Sequence, residues 1–198
     1  MFLRQSAPRT LSRGEQSRLL REVAKRGTPR DHALLSLALA TGLRLRELVG
    51  LNVGDVAPNG RQVDWKVVVP PHLAKNGRNG VVFLSPRIQR DLGRYLAWKR
   101  RSGESTALTA PLFLSNQGRR ISLRRVQLIF AYWQGKAGFE RLYNFHALRH
   151  TAITNVYRST KDLYLAQRFA RHSSPLTTTV YTHVSDEEMY GAMWECRP

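Results

Sequence analysis

Apolar residues recur at helical spacing along most of the chain, and helix start and stop signals bracket them. The first predicted helix opens with a capping box between Ser12 and Glu15. The second begins at Thr28 and ends at Gly42; because it is apolar on most sides, we expect it at the centre of the fold. The same signals predict further helices at about 43–51, 85–101, 122–136, 146–158, 161–170 and 176–181.

The pattern changes to β-branched runs between residues 53 and 84. The runs "RQVDWKVVVP" and "GVVFLS" flank the segment "PHLAKNGRNG", whose Asn-Gly turns suit a β-hairpin. Helices, one hairpin and more helices predict a fold that is mostly α with a small antiparallel β-sheet. We expect a basic N-terminal arm at 1–9, one domain at 10–185 and a C-terminal tail with exposed apolar side chains at 186–198.

The net charge of the chain indicates which class of molecule it binds. The chain has 32 Lys and Arg against 14 Asp and Glu, a formal net charge of +18. An excess of this size attracts polyanions and favours nucleic acid. A membrane surface is a weaker interpretation, because the basic residues are dispersed and no Lys-rich amphipathic helix stands out.

Other features exclude further classes of protein. No apolar run approaches the roughly 18 residues that a membrane span requires. The start, "MFLRQSAPRT", lacks the apolar core of a signal peptide. Cys196 is the only cysteine, so an intrachain disulfide and a thiolate metal cluster are both ruled out. We therefore expect a protein of the reducing cytoplasm.

The first stretch with chemical potential is "TGLRLREL", residues 41–48. Arg44 stands at the start of a helix, where the dipole disfavours a cation. A bound phosphate would remove this conflict, because helix N-termini and guanidinium groups both bind anions. The alternative interpretation is that Arg44 is solvated or pairs with Glu47.

The second stretch is "HALRHTAIT", residues 146–154. His146 and Arg149 are three residues apart and so share one helix face, which suits a phosphate. His146 and His150, four residues apart, also suggest zinc, but no carboxylate or cysteine nearby completes such a site. We therefore expect no metal.

The third stretch is "HSSPLTTTVYTHV", residues 172–184. A lone tyrosine usually serves packing, but Tyr181 follows His172 in a short turn, from which its hydroxyl could project outward. Attack by a phenol on a DNA phosphodiester places negative charge on oxygens that Arg44 and Arg149 could neutralise. His146 could accept the phenol proton, and Lys75 in the hairpin loop could protonate the leaving oxygen.

Together the three stretches strongly resemble the tyrosine recombinase, or phage integrase, family over about residues 10–185. The resemblance rests on "TGLRLREL", "HALRHT" and "HSSPLTTTVYTHV", and on their order and spacing. It implies the fold of DNA breaking-and-rejoining enzymes. It also implies six catalytic positions: Arg44, Lys75, His146, Arg149, His172 and Tyr181.

The resemblance implies a mechanism and partners. Tyr181 would form a 3′-phosphotyrosyl link to double-stranded DNA and release a 5′-hydroxyl. No cofactor is implied, because the ester conserves the bond energy. The family implies a dimer on each site, a tetramer that exchanges strands through a Holliday junction, and accessory DNA-bending proteins. It also implies a bacterial, phage or mobile-element source and association with the nucleoid.

The sequence departs from the family pattern in three places. Members usually have glycine before the second histidine; Arg171 stands here, and because arginine does not readily take a positive φ, we expect a different turn and a displaced His172. Lys66 is a rival to Lys75, because the loop is longer than a tight hairpin. Most members also carry a preceding core-binding domain, which this sequence lacks; a natural short form and a truncated one would look alike.

Two alternatives to a recombinase stay open on the sequence. A type IB topoisomerase shares the chemistry and the fold, although the small size and the "YTHV" context favour a recombinase. A non-catalytic DNA-binding protein on the same fold could keep the arginines and histidines as phosphate contacts.

Overall fold

The structure, a computed structural model, describes residues 8–74, 77, 80–172, 174 and 176–181 of the 198-residue chain. The described part is mostly helical with a single two-stranded antiparallel sheet, which confirms the predicted fold class. The chain divides into two compact units, a larger one of Arg9–Ala152 and a smaller one that begins at Ile153.

Six helices lie within the larger unit, and a seventh begins there and ends in the smaller one. In chain order they are α1 (Arg13–Arg26), α2 (Pro29–Thr41), α3 (Leu45–Gly50), α4 (Val53–Val56), α5 (Pro86–Arg101), α6 (Leu123–Lys136) and α7 (His146–Thr160).

The predicted helix caps are confirmed. Ser12 and Glu15 form both hydrogen bonds of a capping box at the start of α1. The Thr28 side chain accepts a hydrogen bond from the Asp31 amide at the start of α2. Gly42 ends α2 in the left-handed region, at φ 60°, where an L side chain would be strained.

Helix α4 was not predicted, because its four residues contain two valines and a glycine and look like the start of the β region. The backbone N–H of Asn52 donates to the Asp55 carboxylate at 2.7 Å, and this bond fixes the first turn of α4. Before α4, the Arg120 guanidinium donates to the carbonyl groups of Val49, Gly50 and Leu51 at 2.7 to 3.0 Å. Arg120 thereby satisfies carbonyls that the end of α3 leaves without helical partners.

The predicted hairpin is confirmed as β1 (Lys66–Val69) paired with β2 (Gly80–Phe83). Val67 pairs with Val82 on the buried face, whereas Lys66 pairs with Phe83 on the exposed face. The hairpin loop includes Lys75, which lies outside the described residues.

The core of the larger unit is built around α2, which packs against α1 and α5. The aliphatic side chains of α2 are buried on most sides, as its composition predicts. In the first turn of α2, the charged residues Arg30 and Asp31 are buried. The Trp133 indole donates to the Asp31 carboxylate at 3.0 Å, and Arg30 pairs with the same carboxylate. The charge of Asp31 is therefore compensated inside the core.

Gln134 fixes the chain just before α7. Its side chain is fully buried, with 0% exposure. Its amide oxygen accepts from the Tyr143 backbone N–H at 2.6 Å, and its amide nitrogen donates to the Tyr143 carbonyl at 3.1 Å. The Tyr143 hydroxyl also donates to Glu15 of α1 at 3.1 Å. These bonds fix the position of the chain at Tyr143, three residues before α7 begins.

The smaller unit contains the rest of α7 with α8 (Leu163–Ala170) and α9 (Leu176–Thr179). The predictions for this region are confirmed to within two residues at the helix ends. Among the described residues of this unit, four side chains are buried in an apolar cluster: Ile153, Ala166, Ala170 and Tyr181.

Several predictions fall outside the described residues. The basic arm at 1–9 is described only for Pro8 and Arg9, and the tail at 186–198 is not described. The domain boundaries stay predictions. No helix in the described part of the chain combines the length and the apolar character that a membrane span needs.

We predict that Gln134→Leu lowers the free energy of unfolding by about 2–4 kcal/mol, because two buried backbone groups of Tyr143 lose their partners. Urea denaturation followed by circular dichroism measures the change. Gln62→Leu, at an exposed glutamine, is the matched control. Equal losses in the two variants would show that the Gln134 bridge contributes nothing specific.

Candidate active site

Glu47 holds Arg44 at the start of α3. The Arg44 backbone N–H donates to the Glu47 carboxylate at 2.8 Å, and its guanidinium pairs with the same carboxylate at 2.9 Å. Glu47 is buried, while the Arg44 side chain is partly exposed. The pairing that the sequence offered as an alternative is therefore confirmed. It restrains the guanidinium beside a helix start and leaves part of it accessible.

Arg149 joins α7 to the turn between α2 and α3. Its side chain is only 3% exposed, and its guanidinium donates to the Gly42 carbonyl at 2.5 Å. Gly42 lies two residues before Arg44 and 107 residues before Arg149. The fold therefore brings the first and second predicted stretches together.

His146 and Arg149 line one cavity of about 300 Å³. Leu43 and Leu45, which flank Arg44 in the sequence, lie in its wall. The remaining lining residues are Gln127, Asn144 and Phe145. The cavity thus combines an imidazole and a buried guanidinium with apolar walls, which suits an anion with an attached organic group.

The surroundings of His146 and His150 in α7 disfavour the protonated, positively charged form of both side chains. Desolvation, followed by the positive charges of Arg149 and Arg44, lowers the pKa of His146 below its ordinary 6.5. Desolvation, followed by His146 and Arg149, lowers the pKa of His150 to about 4. The two rings meet edge to face, with 4.6 Å between their centroids. Both imidazoles are therefore neutral at pH 7 and able to accept a proton or a hydrogen bond.

Arg171 adopts the conformation that we expected it to avoid. It ends α8 in the left-handed region, at φ 53° and ψ 43°. Its N–H donates to the carbonyls of Arg168 and Gln167, and the His172 N–H also donates to Gln167. The expectation of a different turn is wrong, because hydrogen bonds at the helix end offset the roughly 1–2 kcal/mol that an L residue loses there.

His172 and Tyr181 lie together in the smaller unit. The His172 Nδ1 atom is 2.9 Å from the Thr178 hydroxyl, and the imidazole stacks on the Tyr181 ring with 6.4 Å between centroids. Two side chains that are nine residues apart in the sequence are therefore neighbours in the structure.

Tyr181 is buried, which corrects the expectation of an outward-facing side chain. It is 8% exposed and belongs to the apolar cluster with Ile153, Ala166 and Ala170. The sequence "TTTVYTHV" gave no sign of this, because the other buried residues of the cluster lie 11 or more positions away.

The catalytic role of Lys75 stays a prediction, because Lys75 lies outside the described residues. Its rival Lys66 is described, and it lies on the exposed face of β1, opposite Phe83. Lys66 is not among the residues that line the His146 cavity. Among the described residues, no group of three or more His, Cys, Asp or Glu is placed to hold a metal ion.

Two contacts of the site were missed by sequence reasoning. One is the bond from the Arg44 backbone N–H to Glu47, and the other is the Gly42 carbonyl as acceptor for Arg149. Glu47 left a signal, since an acidic residue three positions after a helix start is typical of a capping box. The Gly42 contact joins residues 107 positions apart, which the local sequence does not encode.

Comparison with known proteins finds a matching family and several similar recombinases. The sequence pattern of the phage integrase family matches residues 9–188. The tyrosine recombinase XerC of Actinobacillus pleuropneumoniae is 32% identical over 160 residues, which are 81% of this chain and 49% of that protein. XerC of Caldanaerobacter subterraneus is 32% identical over 188 residues, 94% of this chain and 50% of that protein. The chain spans about half the length of these curated relatives.

Solved structures share the fold. The XerA recombinase matches all of this chain and 66% of its own, with a TM-score of 0.76 and 27% identity. The XerH site-specific recombinase, bound to its difH substrate, matches 97% of this chain and 55% of its own, with a TM-score of 0.76 and 21% identity. The catalytic domain of bacteriophage HP1 integrase covers 93% of both chains, with a TM-score of 0.59 and 19% identity.

We predict that His150→Gln reduces the pH dependence of stability between about pH 4 and 6.5. In wild type the unfolded chain binds a proton at His150 near 6.5, whereas the folded chain does so near 4. Its contribution to the free energy of unfolding is therefore complete above pH 6.5 and lost as the pH falls toward 4. Urea denaturation at several pH values compares the two proteins, and equal slopes would refute the depressed pKa.

Proposed function

The chain belongs to the phage integrase family, and on that premise we propose that it is a site-specific DNA recombinase with Tyr181 as its nucleophile. The observation that carries the proposal is the convergence of Arg44, His146 and Arg149 on one region of the larger unit. The net charge of +18 supports double-stranded DNA as the substrate.

In the proposed reaction the Tyr181 oxygen attacks a phosphorus of the DNA backbone. A bond forms between that oxygen and phosphorus, and the bond from phosphorus to the 5′ oxygen breaks. The products are a 3′-phosphotyrosyl link and a free 5′-hydroxyl. Because one ester replaces another, no energy source is needed, and the 5′-hydroxyl of a partner strand reverses the step.

The arginines have an electrostatic role. Negative charge grows on the non-bridging oxygens as the phenol attacks, and donors already in place stabilise it without reorganising. The contacts of Arg149 with Gly42 and of Arg44 with Glu47 supply this pre-organisation. Glu47 also reduces the repulsion between the two guanidinium groups when the site is empty of DNA.

The proton movements involve histidine and lysine. A neutral His146 accepts the Tyr181 proton, which fits its lowered pKa. His172 donates a hydrogen bond to the phosphate, and Lys75 protonates the departing 5′ oxygen. Lys66 is the alternative donor.

The burial of Tyr181 adds a step to the proposal. A ring that is 8% exposed has to leave its apolar cluster before its oxygen can meet a phosphate. Exposing a buried side chain of this size costs about 1.5–3 kcal/mol. We propose that binding to DNA and assembly of protomers draw the tyrosine out.

The wider assembly follows from the same premise. Two protomers occupy one site, and four exchange strands pairwise through a Holliday junction, with accessory DNA-bending proteins as further partners. The cytoplasm, in association with the nucleoid, is the proposed location because the substrate is there.

A second candidate function rests on the burial of Tyr181. A tyrosine that serves only to pack α7 against α8 would leave a DNA-binding protein that keeps the arginines as phosphate contacts. This candidate predicts binding to DNA with no covalent product.

We predict that the wild-type chain forms a covalent adduct with a nicked suicide substrate that carries the end sequence of its element, and that Tyr181→Phe does not. Phenylalanine keeps the ring in its cluster, so folding and DNA binding are retained. Denaturing electrophoresis detects the adduct, and a mobility-shift assay measures binding. An adduct in the variant would refute Tyr181 as nucleophile; binding by both proteins without an adduct would favour the second candidate.

We predict that Arg44→Lys lowers the single-turnover cleavage rate by about 10²–10³-fold, because an ammonium keeps the charge but cannot replace the forked donor. DNA affinity should change much less. Arg46→Lys is the matched control, since Arg46 lies in the same helix and is exposed. Equal rates for Arg44→Lys and wild type would exclude Arg44 from the reaction.

A further inference from the structure

Two aromatic rings are stacked on the outside of the β1–β2 hairpin. Trp65 is 59% exposed and Phe83 is 52% exposed. Their centroids are 5.6 Å apart and their planes differ by 14°. The two stacked rings form a flat apolar surface that is open to a partner.

The backbone holds this pair in place. The Leu84 amide donates to the Trp65 carbonyl at 2.7 Å, which extends the pairing of the strands by one step. Phe83 lies directly opposite Lys66 in the ladder. On the other side of the sheet, Val67 and Val82 are buried in the core of the larger unit. The rings therefore sit on a rigid support and face away from the core.

The size of the face argues against a stable protein partner. Two strands of four residues present about 14 Å by 10 Å, or about 140 Å². A specific protein interface buries about 800 Å² on each partner. A second copy of this chain would in addition bring together two molecules of net charge +18.

The same face suits unpaired nucleobases. A base needs only one flat ring to stack on, and stacking of this kind tolerates any sequence. The positive charge of Lys66 lies next to Phe83, where it can meet the phosphates of a bound strand. The nearby Asp64 carboxylate accepts a hydrogen bond from the Lys66 backbone N–H at 3.3 Å.

We propose that the Trp65–Phe83 pair is a stacking platform for the unpaired bases of single-stranded DNA. Binding there requires no cleavage and does not depend on Tyr181. If the proposed recombination takes place, the platform would hold bases that separate from their complements during strand exchange.

The test compares two oligonucleotides of about 12 units, a length within the range of single-strand sites. One is oligothymidylate, and the other has the same backbone with abasic units. Both are fluorescently labelled, and binding is measured by anisotropy in a Tyr181→Phe background, so that no covalent step contributes. We expect the protein to prefer the strand with bases by about 5- to 100-fold.

Substitutions locate the preference. The double variant Trp65→Ala/Phe83→Ala should bind both oligonucleotides equally, at the affinity that the parent shows for the abasic strand. Trp65→Ala alone leaves the Phe83 ring and should keep part of the preference. Trp65→Phe should keep most of the preference, because a flat ring remains. Tyr164→Ala is the matched control, since Tyr164 is an aromatic residue 75% exposed in the smaller unit, and it should behave as the parent.

Two results would overturn the proposal. The first is a preference for bases that survives in the double variant Trp65→Ala/Phe83→Ala. The second is a change in self-association, seen by analytical ultracentrifugation, with no change in DNA affinity; this would assign the face to a protein contact. Neither result affects the covalent-adduct assay, so the platform and the recombinase function can fail separately.

Discussion

The arrangement of the larger unit depends on the buried hydrogen bond from Arg149 to the Gly42 carbonyl. A guanidinium that is 3% exposed requires acceptors inside the protein, because an uncompensated buried charge costs several kcal/mol. The Gly42 carbonyl is a suitable acceptor, since it lies at the C-terminal end of α2 and that end of a helix carries partial negative charge. Once this bond forms, α7 is fixed against the α2–α3 turn, and Arg44 follows two residues later.

This contact also sets the electrostatics of the candidate site. Two guanidinium groups and one imidazole are gathered where water is partly excluded, and a single buried carboxylate, Glu47, offsets part of the charge. Burial, followed by the charges of Arg149 and Arg44, lowers the pKa of His146, so the imidazole adds no positive charge to the site. The proposed DNA phosphate would offset the positive charge that remains, so the site without DNA is prepared for a polyanion.

The smaller unit is organised by different forces. Arg171 takes a left-handed conformation that costs an L residue about 1–2 kcal/mol, and helix-end hydrogen bonds hold it there. The turn then returns the chain so that His172 stacks on Tyr181. Tyr181 lies in an apolar cluster with Ile153, Ala166 and Ala170, and partly buried apolar side chains pack against this cluster. The nucleophile that we propose is thus held in the apolar cluster of the smaller unit, from which binding to DNA has to release it.

Local signals in the sequence determined the helices other than α4, the hairpin and the family, because a cap such as Ser12 with Glu15 or a stop such as Gly42 acts within four residues of its own position. The motifs also identified Arg44, His146 and Arg149 as partners before any distance was known. Only the tertiary structure decided that Arg149 bonds to Gly42, that Gln134 bridges Tyr143, and that Tyr181 is buried. Burial and buried hydrogen bonds depend on atoms from distant parts of the chain, and no short stretch of sequence contains that information.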